Sequence, residues 1–96
     1  MGAVIAYDTL SVSSSSVQLP TSIRNTKSDF VLITVETDQV RFRIDGTAPT
    51  ASEGHLLNTN DILELHDAAE INNARFIRVT TDATLKISAG RSKTYR

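Results

Sequence analysis

Val40-Arg41-Phe42-Arg43-Ile44-Asp45 sets apolar and charged residues in strict alternation. Successive side chains of a β-strand point to opposite faces, so this pattern predicts a strand over 40–45 with one face in a core and the other in water. Downstream, Ile77 and Val79, then Leu85, Ile87 and Ala89, repeat the same period, with Arg78, Thr80, Lys86 and Ser88 between them. Thr81-Asp82-Ala83 is a short polar break, and residues 75–81 and 84–89 therefore read as a β-hairpin. Upstream, Phe30-Val31-Leu32-Ile33-Thr34-Val35 is apolar on both faces. That suits a central strand covered on each side, or a strand with one face in a subunit contact, and Asp38-Gln39 reads as a turn into strand 40–45. Weaker period-two pairs follow at Val4/Ala6, Leu10/Val12, Val17/Leu19, His55/Leu57 and Leu63/Leu65. Their boundaries are set by turn chemistry at Ser13 to Ser16, Pro20-Thr21-Ser22, Gly46 through Gly54, Asn58 to Asp61 and Asn72-Asn73. One helical turn fits, near Asp67-Ala68-Ala69-Glu70. Val, Ile and Thr make up 27 of the 96 residues, and these β-branched side chains favour a pleated surface. The expectation is an all-β chain, one domain over 1–96, folded as an antiparallel β-sandwich or jelly-roll-like barrel of seven or eight short strands.

Composition removes several functional classes. A chain that is 40% hydrophobic and 22% charged is an ordinary globular domain rather than a disordered one. Ten Lys and Arg against 11 Asp and Glu leave a net charge of −1, which gives no global attraction to nucleic acid or anionic lipid. The absence of cysteine excludes disulfides, thiolate metal sites and cysteine nucleophiles. Ala3 to Tyr7 is too short an apolar run for a signal-peptide core, and no stretch approaches the roughly 20 apolar residues of a membrane span. The expectation is a protein made in the cytosol and left unprocessed.

Catalytic patterns are weak. His55 and His66 are the two histidines. Glu64, His66 and Asp67 supply the residue types of a metal site, although a surface histidine beside acids is the commoner arrangement. Asn58, Asn60 and Asp61 fall short of a calcium loop, with Ile62 at a ligand position and no terminal Glu in place, and fit a turn instead. The serines at 13–16 lack a Gly-x-Ser-x-Gly elbow, and the four glycines are too scattered to cradle a phosphate. Tyr7, Phe30, Phe42, Phe76 and Tyr95 read as core or interface residues. The expectation is a protein that is not an enzyme and that uses no cofactor and no metal.

Charge is segregated along the chain. Residues 53–70 hold Glu53, Asp61, Glu64, Asp67 and Glu70 with no Lys or Arg, whereas residues 75–96 hold six bases and one acid. The two segments either align neighbouring subunits or pair within one molecule as solvated faces. Residues 91–96 read as an unordered basic tail. Residues 3–19 read either as the first strands of the chain's own sheet or as an arm that completes a neighbour's sheet.

Val40-Arg41-Phe42-Arg43-Ile44-Asp45-Gly46-Thr47-Ala48-Pro49-Thr50, followed by Gly54-His55, resembles small proteins encoded among the virion genes of tailed bacteriophages and prophages. Those proteins share a Val-Arg-aromatic-Arg strand, then Asp-Gly-Thr-x-Pro-Thr, then a glycine. Phe76-Ile77-Arg78-Val79, continuing into Ala83 to Ser88, is similar to the hairpin with which they end, and the likeness spans about residues 30–90. The resemblance implies a virion structural protein, foremost a capsid decoration or cement protein that bridges subunits. A head–tail or tail-associated role, or a module binding a host-surface glycan, stands as the alternative. It implies a homo-oligomer, with a trimer favoured, and other virion subunits such as the major capsid protein as partners; nucleic acid and membrane are not expected partners. It places the protein in the virion after synthesis in the host cytoplasm. The residues expected to contact a neighbour are Arg41, Arg43, Asp45, Gly46, Thr47, Pro49, Thr50 and Arg78. A plainer reading of the same loop is that Gly46 supplies a positive φ and Pro49 stiffens an exposed connection.

Overall fold

Alternation at residue 40 becomes a strand because Val40 and Phe42 find a core on one side, while Arg41 and Arg43 stay half-buried on the other. The computed structural model describes residues 3–25 and 28–91. Eight strands lie among them: β1 (Ala3–Val12), β2 (Val17–Gln18), β3 (Phe30–Glu36), β4 (Val40–Arg43), β5 (His55–Leu57), β6 (Ile62–Leu65), β7 (Arg75–Arg78) and β8 (Ala83–Arg91). Two short helices are inserted, α1 (Thr21–Arg24) after β2 and α2 (Ala68–Asn73) after β6.

Pairing is antiparallel and nested: β1 with β8, β2 with β7, β3 with β6 and β4 with β5. Two further pairings, β3 with β8 and β4 with β7, close the roll. The result is two four-stranded sheets of order β1-β8-β3-β6 and β2-β7-β4-β5, which is the strand order of a jelly roll. Among the described residues, the β4–β5 connection is the one that starts and ends in the same sheet; the other connections cross from sheet to sheet. The fold is thus a ribbon bent at the β4–β5 loop and rolled up.

The inner faces supply the core. Val31, Ile33 and Val35 of β3 and Leu85, Ile87 and Ala89 of β8 face Val40 of β4 and Phe76 of β7, all without solvent exposure. Leu19 and Ile23 come from the β2–α1 segment, and Ile71 from α2. The Asp67 side chain accepts from the Glu70 amide at 2.8 Å and Glu70 Oε1 accepts from the His66 amide at 2.9 Å, a reciprocal cap that starts α2 where a single turn was expected.

Three expectations need correction. Residues 75–81 and 84–89 do not form a hairpin: β7 and β8 lie in different sheets, and 79–82 is a corner. Asp38-Gln39 does turn β3 into β4 as expected, and the turn is a corner between the sheets, next to Thr37 at φ 83°. A short polar link serves a hairpin and a corner equally well, and alternation alone does not identify a strand's partner. Within β7 the faces are inverted, since Phe76 is fully buried and Ile77 points outward, beside Arg41 in register. Strand 40–45 ends at Arg43, because the Asp45 carboxylate folds back to Arg43 and to the Thr47 amide at 3.1 Å.

β1 belongs to the chain's own sheet, pairing with β8 from Ala3 opposite Arg91 to Val12 opposite Ala83. As an edge strand it is guarded. Its register is broken by a bulge between Val4 and Ala6, and the Asp8 carboxylate accepts from the Ser22 hydroxyl and from the Thr9 amide at 2.7 Å. These bonds, the Ser22 one foremost, hold the Asp8 carboxyl below its ordinary pKa. A bulge and an engaged charge on an edge strand discourage addition of a further strand. Residues 92–96 of the basic tail, Tyr95 among them, lie outside the described residues.

Candidate interaction surface

The outward face of the second sheet is the meeting point of most sequence-derived contact residues. Register places Gln18, Arg75 and Arg43 in one row across β2, β7 and β4, and Ile77, Arg41 and Leu56 in the next row across β7, β4 and β5. Arg41 is turned toward the β4–β5 loop, where Nε donates to the Ala51 carbonyl at 2.9 Å and a terminal nitrogen donates to the Gly54 carbonyl at 2.9 Å. Its planar fork therefore clamps the loop backbone. Arg43 is bidentate on Asp45, at 3.2 and 2.5 Å. The bonds from Arg43 and then from the Thr47 amide bring the Asp45 carboxyl down to about 2, and the same pairing raises the Arg43 guanidinium above its ordinary value.

The rest of the loop is built on this clamp. Gly46 takes φ 84°, as the turn reading expects. Pro49 corrects that reading, because it is buried rather than exposed and packs where a Cβ on Gly54 would approach its own Cβ to 3.1 Å and the Phe42 carbonyl to 3.1 Å. Thr50 and Glu53 exchange backbone hydrogen bonds at 2.9 and 3.3 Å, closing the tip. Thr47 and Thr50 leave their side chains exposed. Arg78 stands apart from the arginine row: it lies at the end of β7, opposite Val40 in register, and pairs with Asp82.

Arg75 is the residue that sequence reading missed. It sits directly across from Arg43, a like-charge neighbour, and its Nε is buried without a hydrogen-bond partner. The signal was present as Arg75-Phe76-Ile77, once Phe76 rather than Ile77 is taken as the inward residue. On the first sheet's outward face Tyr7, read from the sequence as a core or interface residue, is 60% exposed, and Ile62, which that reading did not single out as a contact, is 62% exposed. Half-buried Phe30 and Leu32 lie on the same face, which gives a physical account of the two-sided apolar run at 30–35.

Beside the clamp lies an open cleft of about 330 Å³ lined by Arg43, Ile44, Asp45, Glu53, Gly54 and His55. The His55 ring packs on Phe42 at 5.3 Å between centroids. Arg43 and Asp45 neutralise each other, and none of the six lining residues carries a hydroxyl, thiol or amine nucleophile. At the far edge, His66 Nε2 meets Glu64 at 3.2 Å, while Asp67 is spent on the α2 cap. The three residue types of the hypothetical metal site thus diverge. Among the described residues the Arg43–Asp45 and Arg78–Asp82 ion pairs and the Glu64–His66 contact are each local in sequence and do not join the acidic segment to the basic one. Comparison with protein-family models, with curated proteins and with solved structures gives no match.

Proposed function

We propose that this chain is a structural subunit of a tailed-bacteriophage virion, a capsid decoration or cement protein that bridges neighbouring subunits and catalyses no reaction. The observation that carries the reading is a jelly roll, an architecture used by viral capsid proteins, whose two outward faces both hold large apolar side chains in solvent: Tyr7 and Ile62 on one, Leu56 on the other. Apolar side chains gathered on outward faces mark contact surfaces, and the clamped β4–β5 loop adds a preformed projection beside them. Self-association and contact with a major capsid protein are the partnerships this reading assigns. Gradient-purified virions probed by quantitative peptide mass spectrometry test it. Stoichiometric presence that survives high-salt washing is the expected result. Confinement to the cytoplasm of infected cells rejects it.

The cleft beside the clamp favours one second reading, a module that binds a host-surface glycan through Glu53 and His55. Glycan-array binding that disappears in Glu53→Ala is its signature, and an array with no bound glycan removes it.

A further inference from the structure

Arg75 has an electrostatic deficit within its own chain. It lies between Gln18 and Arg43 in register, Arg43 is already neutralised by Asp45, and among the described residues Arg75 makes no ion pair while its Nε stays buried and unbonded. Directly opposed like charges destabilise a sheet, and a buried donor without a partner costs free energy. An external anion beside the guanidinium offsets the like-charge penalty. Two positions along β7, on the same face, Ile77 offers an apolar contact beside Arg41 and the 41% exposed Leu56.

β6 carries the complementary pair. Leu63 and Leu65 point inward, so Ile62 and Glu64 point out, with Ile62 62% exposed and the Glu64 side chain 58% exposed. Other acids of the 53–70 segment are engaged locally: Asp61 accepts from the Asn58 amide at 2.8 Å, and Asp67 and Glu70 cap α2. Among the described residues Glu64 touches an exposed histidine and no Lys or Arg. An apolar and a charged residue two positions apart on one strand face are separated by roughly 7 Å, whichever strand carries them, so Ile62–Glu64 and Ile77–Arg75 match in spacing and oppose in charge. β6 is an edge strand and β7 an interior one, which lets a ridge meet a face.

We propose that β6 of one copy docks on the outward face of β7 in the next copy, with the Glu64 carboxylate accepting hydrogen bonds from the Arg75 guanidinium and Ile62 packing on Ile77. The contact is heterologous, head to tail, and builds a ring or an open array according to the rotation between copies. It deepens the bridging role proposed above by naming one contact, and its test does not depend on virions.

Light scattering coupled to size exclusion, on the full chain at low salt, reads the contact. The wild-type mass rises with concentration, and about 1 M salt, where the screening length is about 3 Å, returns it toward monomer. Arg75→Glu and Glu64→Arg each weaken association on the order of 30-fold or more. Mixed at equal amounts they co-assemble in alternation, because every contact between an R75E copy and an E64R copy joins opposite charges, in the native sense in one direction and exchanged in the other. Combining both changes in one chain restores self-association. Far-UV circular dichroism confirms that the variants are folded, and Arg75→Gln with Glu64→Gln serves if the reversals unfold. A wild type that stays monomeric at low salt overturns the proposal, as do single variants with the wild-type mass or a mixture that fails to pair. A monomer that instead binds capsid through Arg75 assigns the site to another protein's acidic group and likewise overturns self-docking.

Discussion

Gly54 is where one missing atom shapes the surface. A Cβ there meets the Phe42 carbonyl and the Pro49 ring at 3.1 Å, and its φ of 137° is strained for any L side chain. Gly46 also has a positive φ, yet the nearest atom to its Cβ is Asn73 Oδ1 at 3.8 Å. Gly54→Ala is therefore expected to cost about 3 kcal/mol in urea unfolding, through backbone strain plus overpacking, and Gly46→Ala about 1 kcal/mol through strain alone. Equal costs contradict this account. Asp45 supplies a test in pH. Its folded pKa of about 2 lies below the ordinary 3.8, so its pairing with Arg43 is complete above about pH 4 and is lost as pH falls through 2, when the carboxylate protonates. The Thr47 amide, bonded to that carboxylate, is expected to report the change by NMR with a midpoint near the folded value. In Asp45→Asn the titration disappears, and a wild-type midpoint near 3.8 refutes the pairing. Sequence alone made Gly46 legible as a positive-φ turn residue, because that chemistry is local, but it left Asp45 in the strand. It did not reveal Gly54's contacts, which come from β4 and Pro49 closing over it.

At the scale of elements, the β4–β5 loop shows how a strand face acquires a projection. Arg41 was legible as an outward residue from the alternation, but alternation carries no information about which carbonyls the guanidinium meets. Because Arg41 ties Ala51 and Gly54 to β4, Arg41→Ala is expected to lose about 1–2 kcal/mol of local loop stability. That raises the open population of the loop about tenfold. Glutamate-specific protease reads it directly, through faster cleavage after the exposed Glu53 with little change in the global unfolding midpoint. Arg41→Lys is expected to behave like the alanine variant, since an ammonium lacks the fork that reaches two carbonyls; protection retained in Arg41→Lys rejects the clamp. Strand identity was likewise more legible than strand pairing. The series Leu85, Ile87, Ala89 is buried as its period demands, whereas Phe76 and Ile77 exchange faces because two adjacent apolar residues leave the parity of β7 open until Phe42 and Val17 take their places opposite and beside Phe76.

For the whole molecule, period-two patterning and turn chemistry specify an eight-strand antiparallel body, but the roll is decided by contacts between chain ends. β1 meets β8 across most of the chain length, and no local residue encodes that meeting. The same topology dictates how the chain folds. Loop closure grows costlier with sequence separation, and β4 with β5 is the nested pair closest in sequence, while β1 with β8 is the farthest. Folding is therefore expected to start at the β4–β5 end and zip outward, over milliseconds to seconds as in other folds dominated by distant pairings. Leu57 in β5 and Leu85 in β8 are both buried, at 7% and 0% exposure, and truncation of either to alanine is expected to cost about 2–5 kcal/mol. The losses are expected to divide differently in stopped-flow kinetics. Leu57→Ala slows folding by most of its stability loss, because its contacts exist in the transition state, while Leu85→Ala chiefly accelerates unfolding. The opposite division, with the β8 variant slowing folding and the β5 variant speeding unfolding, means that β1 and β8 meet first, and that the ribbon closes at its ends before its bend is made.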